Sequence, residues 1–211
     1  MIKVKVRVTL LALMLPLLLN ATHILKNDIL KIEISNKINE MGDELFLRTG
    51  IHEYVIATNE HFPVGFNFVE YSKKYEADMS KPYVLFIFAP QALRTKDIIA
   101  KGRVALIPSS EELRTLYDEN DVLDSVIGVV SQIDQNSNED RDNVGVLQAF
   151  SELAEEIGKS KGIELETIIP NDTRNFASVL RIIIYIGTLF VVWIFFLRPL
   201  YMRIKNGKKS K

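Results

Sequence analysis

The sequence predicts an α/β protein: a small three-layer αβα sandwich with a short central sheet, followed by a C-terminal transmembrane helix. Segments with helical spacing alternate with short apolar or β-branched runs between residues 26 and 172, an order typical of a sheet with helices on its faces. One run, PYVLFIFAP at 82–90, is apolar without alternation, as in a central strand covered on both sides. Beyond this domain, an apolar run from Val179 to Leu197 is long enough to span a bilayer.

The first half of the domain predicts a helix, a strand and a second helix. Apolar residues recur at helical spacing over about 34–48, with Ser35 as the candidate cap and Gly50 ending the helix. The run EYVIAT at 53–58 is β-branched and short, which favours a strand. The stretch NFVEYSKKYEA at 67–77 has aromatic residues on one helical face and predicts the second helix.

The second half predicts two strands and then two helices. After the apolar run at 82–90, RVALIP at 103–108 is a further candidate strand. A helix is predicted over 122–134, after acidic residues that suit the positive end of its dipole. A polar loop at 135–143 separates it from a last helix over 144–162, whose apolar residues recur at helical spacing.

Charge is sorted along the chain. Residues 22–175 hold all 27 acidic residues and 16 of the 26 basic ones, a net charge of -11, and the other ten basic residues lie at the two ends. Such a domain repels phosphates and shows no basic stripe, which excludes nucleic acid as its partner. The chain has no Cys, so disulfides, thiol catalysis and Cys-ligated zinc are excluded.

The C-terminal segments predict a membrane anchor and its orientation. We expect a transmembrane helix over 177–197 and a basic cytoplasmic tail over 198–211, because Lys and Arg beside a spanning helix are retained inside. Four residues have the chemistry of anchors at the membrane boundary, where long cationic or amphipathic aromatic side chains are favoured: Arg181, Trp193, Arg198 and Tyr201.

The N-terminal segment predicts export. A basic start is followed by a 12-residue apolar run, and Ala21 offers a small residue for cleavage. We interpret residues 1–21 as a signal peptide or an N-terminal signal anchor. Both ends therefore place the domain at 26–172 in the periplasm of a bacterium, with the protein in the inner membrane and its C-terminus in the cytoplasm.

The chain shows no motif of a known catalytic class. His23, His52 and His61 have no partner at a metal-ligand spacing, and we expect them at the surface or in loops. No nucleophile elbow, phosphate-binding loop or dinucleotide fingerprint occurs. The sequence therefore assigns no catalytic residue and no cofactor-binding residue.

Carboxylates are the one dense polar group, and they supply the candidate metal ligands. Glu111, Glu112, Asp118 and Asp121 lie in one acidic stretch, and oxygen ligands of this kind hold Ca²⁺ or Mg²⁺. The stretch lacks the glycine and the spacing of a calcium-binding loop. The alternative interpretation is that these residues cap helices and face solvent.

The order of elements resembles a divergent TPM domain, the family of thylakoid lumen, photosystem II repair and receptor-accessory proteins. The resemblance runs from about Lys37 to Gly158 through GIHEYVIAT, NFVEYSKKYEA, VLFIFAP, RVALIP and RDNVGVLQAFSELAEEI. It implies an αβα domain with an export signal and a following transmembrane helix, and some relatives bind divalent cations or act as phosphatases. The chain departs from the family at 79–82, where a turn rich in Asp, Asn and Gly is usual, and at 108–110, where glycines are usual.

These observations lead to two functional hypotheses. The preferred one is a membrane-tethered periplasmic accessory or assembly domain, whose partners are the lipid bilayer and another membrane or envelope protein. It expects an exposed aromatic patch, with Phe62, Phe66 and Phe68 as candidates, although these residues would equally suit a loop packed on its own core. The alternative is a divalent-cation-dependent phosphatase, in which the carboxylate-held ion polarises a phosphoryl oxygen.

Overall fold

The computed structural model describes residues 22–95, 101–132 and 136–169, together with residues 185–190, 192, 193, 195 and 198. The chain divides into two compact units, Met1–Ile169 and Pro170–Lys211. The predicted signal at 1–21 lies outside the described residues.

A four-stranded sheet forms the centre of the first unit. Its strands are β1 (Ile24–Asn27), β2 (His52–Ala57), β3 (Tyr83–Leu93) and β4 (Lys101–Pro108), and they lie side by side in that order. β1, β2 and β3 are parallel, and β4 runs antiparallel to β3. The two parallel connections need crossovers, whereas β3 and β4 follow each other as neighbours.

The described residues of this unit form four α-helices and two 3₁₀ turns. The helices are α1 (Ile32–Thr49), α2 (Phe68–Ser72), α3 (Glu119–Val130) and α4 (Asn138–Ser160). The 3₁₀ turns are Lys73–Asp78, which continues α2, and Glu111–Leu116, which follows β4. The predicted α/β fold with a short sheet and helices is therefore confirmed.

Both faces of the sheet are buried. On one face α1, α3 and α4 pack against the sheet, and Phe86 of β3 and Phe150 of α4 are fully buried there. On the other face, α2 and its neighbouring loops cover Leu85 and Ile87 of the same strand. The absence of alternation in the β3 sequence has this cause, since both sets of side chains enter a core.

The two ends of α1 test two predictions: the end at Gly50 is confirmed, and the cap at Ser35 is wrong. Gly50 ends the helix with φ 73°, and its N–H donates to Phe46 O, as predicted. Ser35 is not the cap: α1 begins at Ile32 after Lys31, and Ser35 Oγ donates back to Lys31 O within the first turn. The start is held instead by Asn143 of α4, which accepts from Lys31 N at 2.7 Å.

Four elements differ from the expected ones. α3 spans Glu119–Val130 instead of the predicted 122–134, because Asp118 caps its start and Ser131 ends it. β1 is not predicted by the sequence, because four residues directly after an apolar leader carry no alternation that marks a strand. Its start at Ile24 lies before the predicted domain boundary at 26. The predicted helix at 67–77 is one α-helical turn continued as a 3₁₀ turn. α4 begins six residues earlier than predicted, because Ser137 accepts from Asp140 N and caps it.

In the second unit, residues 185–190 are helical. No helix of the described residues is long and apolar enough to cross a bilayer. Most of the predicted transmembrane segment at 177–197 lies outside the described residues, as do Arg181, Tyr201 and most of the tail at 198–211. Trp193 and Arg198 are described and exposed, and the transmembrane helix stays a prediction.

Candidate functional site

The predicted metal ligands lie between the end of β4 and the first turn of α3, and most have structural partners. Glu111 is exposed, and its Oε2 lies 3.1 Å from Arg114 Nε. Glu112 is also exposed. Asp118 caps α3, because its Oδ1 accepts from Asn120 N at 2.9 Å.

The fourth candidate, Asp121, stands in the first turn of α3. Glu156 of α4 lies nearby: it accepts from Asp118 N at 2.6 Å, and burial raises its pKa, as do the charges of Asp121 and Asp118. Across the described residues of the chain, no group of three or more His, Asp or Glu is arranged to hold a metal ion. The Ca²⁺ or Mg²⁺ site stays a prediction without support from this geometry.

The aromatic residues proposed as an exposed contact patch form part of the second core. Phe62 and Phe68 are 4% and 5% exposed, and their rings meet edge to face at 5.3 Å. Phe66 is half-buried and packs on Phe62 at 4.6 Å, while Arg103 of β4 covers the Phe68 ring at 4.4 Å. The expected exposed patch is therefore not formed, because the loop packs on its own core.

Two of the three histidines are buried, contrary to the expected surface or loop positions. His23 is 0% exposed and packs beneath Gly42 of α1. Its Nδ1 donates to Glu53 O at 2.8 Å, and its Nε2 lies 3.2 Å from Asp43 Oδ1. Both ring nitrogens of His23 therefore face an oxygen atom of a neighbouring element. His23 therefore joins β1, β2 and α1, and offers no surface to a substrate.

His52 begins β2 beside His23. Its ring stacks on Phe46 of α1 with centroids 3.9 Å apart and on Tyr54 at 5.6 Å. Burial lowers the pKa of His52, and the neighbouring His23 lowers it further. His61, by contrast, is exposed as expected. The buried pair is a packing feature that the sequence gives no signal for, because the residues lie 29 positions apart.

Glu53 of β2 is a buried carboxyl group. It is 0% exposed, and neither carboxylate oxygen has a hydrogen-bond partner among the described residues. Burial raises its pKa well above the ordinary 4.5. Its full burial on a central strand gives Glu53 the position of a core residue.

The carboxyl ends of parallel strands are the usual ligand position in α/β folds, and here they carry an ion-pair network. Lys26 Nζ lies 3.1 Å from Asp28 Oδ2 and also pairs with Glu60. Asp28 Oδ2 accepts from Thr58 Oγ1 at 3.0 Å, and Tyr71 donates to Glu60 Oε1 at 3.0 Å. The groups satisfy one another, so they link β1, β2 and α2.

The open edge of β4 contrasts with these satisfied groups. Ser109 N donates to Tyr83 O at 2.8 Å, which fixes the alternation of the antiparallel ladder. With Val84 opposite Pro108 and Phe88 opposite Val104, the main-chain groups of Val104, Leu106 and Pro108 point away from β3. No other described strand pairs with this side of β4.

A cleft of about 610 Å³ adjoins this edge. Its apolar wall comes from Phe88 and Val104 on the sheet and from Leu123, Ile127 and Val130 on α3. Ile127 is 47% exposed. Arg94, Lys101 and Arg103 stand at the sheet side of the cleft. An edge strand beside an apolar cleft has the features of a surface that accepts an added strand.

Sequence reasoning identifies β4 as a strand but not as an edge. The order of strands in a sheet depends on how the connections cross it. The apolar run RVALIP would look the same in a central strand and in an edge strand, so its pattern does not place it. One signal was present: Pro108 lacks an N–H, and proline in a strand indicates an edge or a strand end.

Comparisons with protein-family models and with curated proteins found no match to this chain. The resemblance to TPM domains therefore stays a prediction.

Proposed function

We propose that this chain is a membrane-tethered interaction domain that serves as an accessory or assembly module for a membrane or envelope complex, and that it takes up its partner at the edge of β4. The observation that carries the proposal is the outward row of main-chain groups at Val104 and Leu106, beside the cleft that exposes Ile127. A strand added there gains main-chain hydrogen bonds, and alternate side chains reach the cleft.

The proposed tether is the segment at 177–197, with the acidic domain in the periplasm and the basic tail at 198–211 in the cytoplasm. The charge asymmetry between the domain and the tail supports this orientation. A tether holds the domain near membrane partners and raises their effective concentration without high intrinsic affinity.

Orientation is testable because the chain has no Cys. Single substitutions Glu40→Cys in the domain and Ser210→Cys in the tail are treated with a membrane-impermeant maleimide on intact cells with a permeable outer membrane. We expect labelling at position 40 alone, and at position 210 only after the inner membrane is permeabilised. Labelling of both, or the reverse pattern, would refute the orientation.

The docking edge is testable in the native membrane with the full chain. A photo-reactive phenylalanine replaces Ile127 in the cleft or, as the matched control, Val69 of α2, which is 54% exposed on the other side of the sheet. We expect a discrete cross-linked product from position 127 and none from position 69. Equal products from both positions, or no product from position 127, would contradict docking at this edge.

A further inference from the structure

We propose that the occupant of the β4 edge is a second copy of this chain, so that two β4 strands pair antiparallel about a two-fold axis and join two sheets into one. This inference rests on the proposed docking function and names its partner. Three features of the edge support it: the pattern of outward main-chain groups, the distribution of charge along the strand and the exposed apolar residue beside it.

The main-chain groups are self-complementary. The outward N–H and C=O of Val104 face the outward C=O and N–H of Leu106 in the second copy when Ala105 lies on the axis. Each strand then donates two hydrogen bonds and accepts two. Pro108 has no N–H and lies at the end of this register, where it ends the pairing without interrupting it.

The charges at the two ends of the strand have opposite signs. β4 begins with the exposed Lys101, whereas Arg103 packs on Phe68, and the exposed Glu111 and Glu112 follow shortly after the end of the strand. Antiparallel pairing places Lys101 opposite Ser109 of the second copy, two residues before Glu111, with which the following 3₁₀ turn begins. Lys101 and Glu112 form no ion pair with the described residues. Attraction therefore arises twice in the symmetric pair, once at each end.

The apolar residues beside β4 lie on one face of the sheet. A two-fold axis normal to the sheet places the same face of both copies on the same side. Val104 and Leu106 belong to the face covered by α3, and Ile127 of that helix stays 47% exposed in the adjoining cleft. The second copy brings the same face beside it. Burying Ile127 and the cleft wall on both sides adds hydrophobic stabilisation to the main-chain bonds.

Overall repulsion opposes this pairing, because residues 22–175 carry a net charge of -11. Salt screens the repulsion between distant charges more than it weakens hydrogen bonds at a buried edge. The proposal therefore expects dimerisation to strengthen as salt rises from about 0.02 M to about 0.15 M, over which the Debye length falls from roughly 20 Å to 8 Å.

The first test is the oligomeric state of the full chain in mild detergent, measured by sedimentation equilibrium at about 0.15 M salt. Val104→Pro deletes one outward N–H and leaves the ladder to β3 unchanged, whereas the matched control Val104→Ala keeps that N–H. We expect a dimer for the native chain and for the control, with a dissociation constant at least tenfold higher for Val104→Pro. A monomeric native chain, or equal weakening by both variants, would overturn the pairing.

A second measurement leaves the edge hydrogen bonds in place. Ala105 lies on the axis in a non-hydrogen-bonded pair, whose Cα atoms are about 4.5 Å apart, within reach of a disulfide. Ala105→Cys in the full chain is oxidised in membranes with copper phenanthroline, beside Val69→Cys as the control. We expect a covalent dimer from position 105 alone. If no covalent dimer forms while position 127 still cross-links to a different protein, the second copy is refuted and docking at β4 is retained. If neither product forms, both the second copy and docking at β4 are refuted.

Discussion

Glu53 provides the sharpest test of how this core is built. Its carboxyl group is fully buried on β2, it has no hydrogen-bond partner among the described residues, and burial raises its pKa well above 4.5. The native state therefore keeps a proton that the unfolded state releases near pH 4.5. Replacing the side chain by an amide of the same shape, Glu53→Gln, removes this titration.

The magnitude follows from proton linkage. A group with a raised native pKa costs no stability below its unfolded pKa, and stability falls as pH rises between the two values. For a single proton the slope is about 1.4 kcal/mol per pH unit. Glu53→Gln loses this slope, so its stability relative to the native chain rises by about 1.4 kcal/mol for each pH unit above 4.5, until the native pKa is reached.

The assay is urea unfolding of the full chain in mild detergent, followed by far-ultraviolet circular dichroism at pH 5, 6, 7 and 8. The difference in unfolding free energy between Glu53→Gln and the native chain is plotted against pH. Other groups, such as Asp142 with its pKa raised by burial to about 6, contribute equally to both proteins and cancel. Glu40→Gln on the exposed side of α1 is the control for a Glu-to-Gln substitution at a solvent-facing position.

A flat difference for Glu53→Gln would refute the reasoning. It would mean that Glu53 titrates alike in both states, and hence that solvent reaches it or that a cation pairs with it.

Three further predictions concern single contacts, each measured by the same unfolding assay at pH 7. Gly42→Ala should lose about 1–3 kcal/mol, because the new Cβ would stand 2.4 Å from Cγ of the buried His23 ring; an unchanged midpoint would show that the ring can move. Asn143→Ala should lose about 2–3 kcal/mol, because two hydrogen bonds from α4 to the segment that enters α1 and one within α4 disappear; a loss under 0.5 kcal/mol would contradict that role. Asp118→Ala should lose about 1 kcal/mol with its cap of α3, and the loss should be the same with and without Ca²⁺; protection of the native chain alone would restore the metal hypothesis.

Local chemistry predicted most elements of the first unit. Residue spacing is enough to place α1 and its end at Gly50, and an unbroken apolar run is enough to place β3. Local sequence patterns did not predict β1, because a strand of four residues is formed by pairing with its neighbour. Ile24 pairs with Val55 only when α1 connects the two strands across the sheet. A strand stabilised by tertiary pairing leaves no periodicity in the sequence.

The candidate site was less predictable for the same reason. Phe62 and Phe68 are aromatic in a short loop, a pattern shared by exposed contact patches and by loops with a core of their own. Glu53 and His23 are polar residues in short segments without a motif, yet both are fully buried. Burial depends on which helix crosses the strand, and composition does not contain that information.

The two edges of the sheet show where the protein retains unused hydrogen-bonding capacity. β1 has four residues, and its Lys26 is tied into an ion-pair network, so this edge is short and charged in the manner that prevents strand addition. β4 is twice as long, with eight residues: charged residues lie at its start and Pro108 at its end, but the sequence VALI between them is apolar. An edge of this length and composition invites association unless something pairs with it. The asymmetry between the two edges is thus the physical reason to seek the partner of this protein at β4.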